Sequence, residues 1–135
     1  MKCHIEVVPY NPAWPEIFYT ESKVIEQALA DNCLEIHHIG STAVPGLVAK
    51  PKIDIICVVK EGQFAIEPLV KAGFKYTGEW NIPFKFGFSK RGQYNINLHV
   101  FEENHPEIAL NLLFRDYLIA NPSSLREYAK IKQDL

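Results

Sequence analysis

One acidic residue, Asp54, lies within the apolar run "KIDIICVV", which is typical of a central strand buried on both faces. A carboxylate in such a strand is costly unless it is paired, hydrogen-bonded or bound to a metal. Upstream, Gly40, Ser41 and Thr42 form a small-residue turn whose amides and hydroxyls can contact phosphate, although a tight turn that needs glycine explains them equally well. The pattern indicates a phosphate or metal site beside this strand.

Three further residues are candidates for the same site. His99 could bind a metal, act as an acid or base, or hydrogen bond to Asp54. Lys50 could reach an anion as a point charge, against the default of a solvated loop lysine. Arg115 could clamp a phosphate or carboxylate, or pair on its helix surface; it is adjacent in sequence to Asp116, so the two side chains are expected to point in different directions.

Asp54 also has a purely structural interpretation, in which it pairs with Lys50, Lys52 or a histidine. Lys52 is expected on the same face of the strand as Asp54, so an ion pair between them is feasible. His38 is nearer the turn than His37 and has the better claim to act as a ligand. These alternatives stay open on the sequence alone.

The elements that must position these residues follow from periodicity and turn signals. The pattern predicts an α+β domain with a mixed sheet, because helices and strands alternate without strict βαβ order. The first half of the chain is predicted to contain an edge strand over 5–8, a helix after Pro12 and Pro15, a strand "CLEIHHI", a loop over 40–51 and the strand of Asp54. The second half is predicted to contain a short helix over 67–72, a brief strand "FKYTGE" and a hairpin of "FKFGFS" with "YNINLHVF". Two helices end the chain: "HPEIALNLLFRDYLIAN" and a final helix capped by Ser124 and Glu127.

Two details of packing are expected within these elements. In the hairpin, Phe84, Phe86 and Phe88 are predicted to share one strand face. In the helix that follows, Ile108, Leu112 and Leu113 are predicted on one side.

Composition limits the classes of partner. The chain has 135 residues, 47% hydrophobic and 22% charged, with a formal net charge of −2. That charge gives no general attraction to nucleic acid or to a membrane surface, so any anion site must be local. The three cysteines, Cys3, Cys33 and Cys57, are odd in number and lack framework spacing, which indicates reduced thiols and a cytoplasmic protein.

Four segments, "HIGSTAVPGLVAKPKIDI", "NLHVF", "LLFRDYL" and "NPSSLREYAKIK", resemble the GrpB (UPF0157) family, which is grouped with the nucleotidyltransferase superfamily. The resemblance implies a nucleotidyltransferase-like mixed β-sheet with helices packed mainly on one face. It also implies a single domain over 1–135 that lacks the helical C-terminal end usual in the family.

The resemblance further implies roles for individual residues. Gly40 and Ser41 match the superfamily's Gly-Ser turn, and Asp54 matches its first metal-binding acid. The second acid falls on Ile56, and the third falls on His99, with Asn97 as the next choice. A divalent cation, Mg²⁺ or Mn²⁺, is therefore expected at Asp54 and His99, although two-metal transfer needs more oxygen ligands than these residues offer.

Two functions are consistent with this pattern. The first is divalent-metal-dependent nucleotidyl or phosphoryl transfer, with Asp54 and His99 as catalytic residues. The second is a non-catalytic accessory module with a degenerate metal site that binds a nucleotide or another anionic metabolite. In both, the expected partner is a phosphate-containing small molecule. The resemblance gives the second function mild support, since GrpB-like domains also occur fused to dephospho-coenzyme A kinase.

Overall fold

The computed structural model describes residues 7–79 and 82–121. The N-terminal part of the predicted edge strand and the predicted final helix, with Ser124 and Glu127, lie outside the described residues. The helices and strands within them are α1 (Trp14–Leu29), β1 (Cys33–Ile39), β2 (Lys52–Val59), α2 (Ile66–Lys71), β3 (Lys75–Gly78), β4 (Phe86–Lys90), β5 (Asn95–Glu102) and α3 (Pro106–Ala120).

The five strands form one mixed sheet in the order β1-β2-β5-β4-β3. β2 and β5 pair in parallel, whereas the other neighbours pair antiparallel. A parallel pair needs a long crossover connection, which α2, β3 and β4 provide here. The predicted α+β class with a mixed sheet is confirmed, and the strand that carries Asp54 lies inside the sheet with a neighbour on each side.

One face of the sheet is covered by α1 and α2. Pro15 lies in the first turn of α1, where a missing backbone amide leaves no hydrogen bond unmade. The helix then buries one stripe at helical spacing against the apolar residues of β2 and β5. This main core contains Trp14, Ile17, Ile25, Leu29, Ile53, Ile55, Cys57, Val59, Leu69, Ile96, Leu98 and Val100.

The opposite face is covered in part by α3. Its Ile108 and Leu112 pack against a smaller cluster that includes Ile56 and Phe101. The prediction that Leu113 shares this buried side is wrong, because Leu113 is 67% exposed. Two of the three described helices therefore lie on one face, as expected, and α3 lies on the face to which Asp54 points.

The hairpin also differs from its prediction at one end. β4 begins at Phe86, and Phe84 is not part of the strand; it has a φ of 62° and is 76% exposed. The Phe84 amide donates to a carboxylate oxygen of Glu79 at 2.7 Å, which fixes a turn ahead of the strand. No helix among the described residues is long and apolar enough to cross a membrane.

Gly62, between β2 and α2, supplies a test of this packing. A Cβ at this position would overlap the Phe86 ring, whereas a Cβ at Gly92 would meet nothing within 4 Å. We expect Gly62→Ala to lower the free energy of unfolding by about 1–3 kcal/mol, as overpacking does. Urea denaturation measures the change, with Gly92→Ala as the matched control. Equal stability of the two variants would contradict the packing described.

Candidate functional site

The parallel register of β2 and β5 surrounds Asp54 with polar groups. Asp54 lies beside Asn97, whose side-chain amide donates to Oδ1 at 3.3 Å. His99 Nε2 is 3.5 Å from the same oxygen, and Lys52 Nζ is 3.8 Å from Oδ2. Of the open alternatives for Asp54, the ion pair with Lys52 is present, and both candidates for the third-acid position, His99 and Asn97, contact the carboxylate.

These contacts keep Asp54 ionised. Burial pushes the pKa of Asp54 upward, but the hydrogen bond and charge of His99, the charge of Lys52 and the amide of Asn97 outweigh it. The net result is a pKa below the usual value for an aspartate. The site therefore holds one carboxylate whose negative charge is already shared among three protein groups.

The glycine turn adjoins this carboxylate because β1 pairs antiparallel with β2. Ile39 lies opposite Asp54, so Gly40 follows directly at the end of the pair. A Cβ on Gly40 would lie 3.0 Å from Asp54 Oδ2, and Gly40 has a φ of 74°, which side chains rarely adopt. Both the close approach and the backbone conformation require glycine here.

The turn is held from the other side of the sheet by His38. Thr42 is buried, and its hydroxyl hydrogen bonds to His38 Nε2 at 3.0 Å. The His38 ring stacks on Phe18 of α1, with centroids 4.9 Å apart. Thr42 and His38 are thus engaged with each other, whereas Ser41 is half-buried at the start of the turn.

The two predicted cationic contacts lie away from Asp54. Lys50 is exposed in the loop before β2 and is absent from the lining of the cleft that contains Asp54. The Arg115 guanidinium donates to the His38 carbonyl at 3.1 Å and pairs with Asp116 at 2.9 Å. The expectation that Arg115 and Asp116 diverge is wrong, because the arginine side chain folds back to its neighbour. A phosphate-binding role for Lys50, Arg115, Gly40, Ser41 or Thr42 stays a prediction.

Ile56, at the position of the second acid, is fully buried. It packs with Ile39, Val58 and Phe101 beneath α3, and its partner in the β5 register is His99. An apolar cluster thus occupies the place where a second carboxylate would stand.

A cleft of about 360 Å³ opens beside Asp54 on this face of the sheet. Its size is within the range of small-molecule sites. Three cationic side chains and one carboxylate line the cleft, so the cleft carries a net positive charge although the chain as a whole is negatively charged. Its lining residues are Lys52, Asp54, Thr77, Lys85, Gly87, Phe88, Ser89, Arg91, Asn97, Leu98 and His99.

The cations of the cleft are not equally available. Arg91 donates to the Ile96 carbonyl and to the Asn97 side-chain oxygen, both at 3.0 Å. Lys52 is half-exposed and paired with Asp54. Lys85 is only 6% exposed, and among the described residues no carboxylate lies within 4 Å of its ammonium.

A larger groove of about 470 Å³ lies on the opposite face, between α1 and the turn that joins β4 to β5. Its lysine, Lys90, is already neutralised by Glu21 at 2.7 Å. It contains neither Asp54 nor His99. The smaller cleft is therefore the better candidate for chemistry.

The residues of the smaller cleft do not fit a two-magnesium centre. Magnesium requires hard oxygen ligands, and two-metal sites use several carboxylates to hold the ions close together. Here Asp54 is the one carboxylate of the cleft lining, and Ile56 offers no ligand. No group of three or more His, Cys, Asp or Glu side chains that could hold a metal occurs within residues 7–79 and 82–121.

Comparison with known proteins identifies the family. The family profile described as "GrpB protein" matches residues 4–135. The chain belongs to the GrpB family. It is 39% identical to the UPF0157 protein BH1888 of Halalkalibacterium halodurans, over 97% of this chain and 69% of that protein. It is 36% identical to the UPF0157 protein YqkA of Bacillus subtilis, over 99% of this chain but 40% of that protein. Against the UPF0157 protein PA4798 of Pseudomonas aeruginosa, 39% identical, the chain spans 57% of the relative's length.

Solved structures agree with this assignment. The crystal structure of GrpB from Enterococcus faecalis superposes with a TM-score of 0.88 at 34% identity, covering 96% of this chain and 81% of that one. The Cid1 poly(U) polymerase superposes with a TM-score of 0.61 at 11% identity, covering 93% of this chain and 41% of that one. At such low identity the second likeness shows the fold alone, and it confirms that the GrpB sheet is nucleotidyltransferase-like.

Sequence reasoning missed Lys85 and Arg91 as members of the site. A signal was present for Lys85, because Lys85, Gly87 and Ser89 alternate in the hairpin strand opposite the polar face of β5. Arg91 comes from the turn between β4 and β5, and only the folded hairpin directs it to Asn97.

His38 supplies a pH-dependent test of the turn. Burial lowers the pKa of His38, the negative charge of Asp54 opposes this and the positive charge of Arg115 adds to it, with a net pKa of about 4. An unfolded histidine binds its proton near pH 6.5, so the unfolded state holds more protons between pH 6.5 and 4, and stability falls as the pH falls.

We expect wild-type protein to lose about 1–3 kcal/mol more unfolding free energy than His38→Gln between pH 7 and pH 4.5. Urea denaturation at both pH values gives this difference. His37→Gln, on the opposite face of β1, is the control that should retain the wild-type loss. An equal loss in His38→Gln would show that His38 is not held neutral.

Proposed function

We propose that this GrpB chain binds a nucleotide or another phosphate-bearing small molecule in the Asp54 cleft, as a binding module with a degenerate metal site. The observation that carries the proposal is the charge of the cleft: Lys52, Lys85 and Arg91 stand against the single carboxylate of Asp54. A two-metal centre has the reverse balance, with several acids that attract cations. A cation-rich cleft instead attracts the phosphate itself.

The surroundings of Asp54 support the same function. Its oxygens already accept from Asn97 and interact with Lys52 and His99. The second-acid position is filled by Ile56, which is fully buried. The ligand would therefore be held mainly by side chains, with Thr77 and Ser89 as further hydroxyl groups at the cleft wall.

The relatives suggest which phosphates to test. The chain is 28% identical to a dephospho-CoA kinase of Mycobacterium tuberculosis, over 95% of this chain and 39% of that protein. The Cid1 structures include a complex with a UTP analogue. Dephospho-CoA, UTP, ATP and inorganic pyrophosphate together sample a nucleotide with a bridging diphosphate and no terminal phosphate, two nucleoside triphosphates that end in a phosphate, and the free diphosphate.

We expect at least one of these compounds to raise the melting temperature in EDTA, since the cleft needs no metal to attract it. A ligand at 100 times its Kd stabilises the folded state by about 2.7 kcal/mol.

Calorimetry then compares the affinity of wild-type protein with that of Asp54→Asn, which removes a negative charge beside the ligand. Binding in EDTA should tighten by about threefold or more, because the relief of roughly 0.7 kcal/mol of repulsion between Asp54 and the ligand corresponds to a threefold change in Kd. Failure of every compound to bind, with or without a divalent cation, would refute the proposal.

A second candidate is nucleotidyl transfer assisted by one divalent cation. The observation that favours it is the placement of the Gly40 turn against Asp54, with His99 Nε2 at 3.5 Å from the same carboxylate. One carboxylate and one imidazole suit Mn²⁺ better than Mg²⁺. This pair would hold the cation, which would neutralise charge on the transferred phosphate.

Under this second candidate, calorimetry with MnCl₂ should detect a single site that Asp54→Ala abolishes, because the charged ligand is lost. Asp116→Ala, an exposed aspartate on α3, is the control and should leave Mn²⁺ binding unchanged. The same Asp54→Ala change should also abolish nucleotide binding in MnCl₂. Mn²⁺ binding that survives in Asp54→Ala would remove Asp54 from any metal site.

A further inference from the structure

Lys85 is the most deeply buried charged residue of the cleft. The whole residue is 6% exposed, yet it lines the cavity that contains Asp54 and His99. Within the part of the chain that the structure describes, its ammonium has neither an ion-pair partner within 4 Å nor a hydrogen bond to a side chain. Lysines are seldom buried to this extent without a partner for their charge. The Lys85 ammonium is not itself fully buried, so the stem is covered by protein while the charged end meets the cleft.

The backbone of β4 is shaped to admit this side chain. Gly87 lies opposite His99 in the β4–β5 pair, on the face of Asp54. A Cβ at Gly87 would lie 3.3 Å from Lys85 Cε, 2.8 Å from Thr77 Oγ1 and 2.7 Å from the Gly78 carbonyl oxygen. The glycine thus leaves a gap along which the lysine stem reaches the cleft, beside the Thr77 hydroxyl.

The surroundings attract Lys85 without neutralising it. Burial lowers the pKa of Lys85, while the negative charges of Glu107 on α3 and Asp54 on β2 act in the opposite direction. Neither carboxylate is within ion-pair distance. A ligand that brings two negative charges would match the excess of two cations in the cleft, and a phosphate monoester carries close to that charge at neutral pH.

We infer that Lys85 is the principal anchor of this cleft and that the group it binds is a terminal, metal-free phosphate. The inference rests on the proposed function and deepens it, since it names the part of the ligand that is recognised and the residue that recognises it. In this arrangement Lys85 supplies the positive charge that binds the phosphate, and Thr77 supplies an adjacent hydroxyl group. Lys52 and Arg91 contribute to the field of the cleft while their own contacts hold Asp54 and Asn97.

The first experiment uses Lys85→Met, which keeps the length of the stem and removes the charge. Calorimetry in EDTA with pyrophosphate and ATP, both of which end in a phosphate, should show at least a tenfold loss of affinity. The melting temperature should stay unchanged or rise, because an unpaired charge at the end of a buried stem has been replaced by an apolar group. Lys60→Met, an exposed lysine just after β2, is the matched control and should bind like wild type.

The outcomes separate the two proposals. Wild-type binding that persists in Lys85→Met would overturn the role of Lys85 and leave the proposed function standing. Absence of binding in the wild type would overturn both. A lower melting temperature in Lys85→Met with unchanged affinity would mark Lys85 as a structural residue and would likewise overturn the inference.

A second measurement reads the amine directly. Pyridoxal 5′-phosphate carries both a phosphate and an aldehyde; the lysine amine condenses with the aldehyde with loss of water, and borohydride reduces the imine to a stable secondary amine. Peptide mass spectrometry should find Lys85 labelled faster than Lys60, and pyrophosphate should protect Lys85 alone. Equal labelling of both lysines, or no protection, would contradict a phosphate site at Lys85.

Discussion

The site depends on one constraint: an ionised carboxylate must be accommodated in the interior strand of the sheet. Parallel pairing of β2 with β5 accommodates it, because the register places Asn97 beside Asp54 and His99 one step along the same face. Antiparallel pairing with β1 then brings Gly40 against the carboxylate, where a Cβ would lie only 3.0 Å from Asp54 Oδ2. The Gly40 turn and the polar face of β5 are thus both packed around this one carboxylate.

The same fold can support different chemistry when the charges on its face change. In this GrpB chain Ile56 belongs to an apolar cluster that α3 covers, so the second-acid position contributes to packing. The polar part of the face is correspondingly narrow and carries more cations than acids. This balance favours direct recognition of an anion over chelation of two metal ions.

The energetics of Lys85 and Asp54 illustrate how a binding site departs from optimal packing. Asp54 is stabilised by three neighbours within the protein, so its burial is offset without a ligand. Lys85 has no such compensation among the described residues, and Gly87 leaves the space that it occupies. Groups held at a cost to stability are typical of functional sites, where the missing partner arrives with the ligand.

The α+β class and the buried strand of Asp54 could be predicted from the sequence, because side-chain periodicity and apolar runs are local properties. The folded chain was needed to show that β2 runs parallel to β5, that Ile56 lies beneath α3, that Arg115 turns to His38 and that Lys85 lines the cleft. These outcomes depend on strand order and register, which join residues far apart in the chain and which no local pattern specifies. The sequence therefore located the carboxylate, and the tertiary structure determined the charge of the cleft around it.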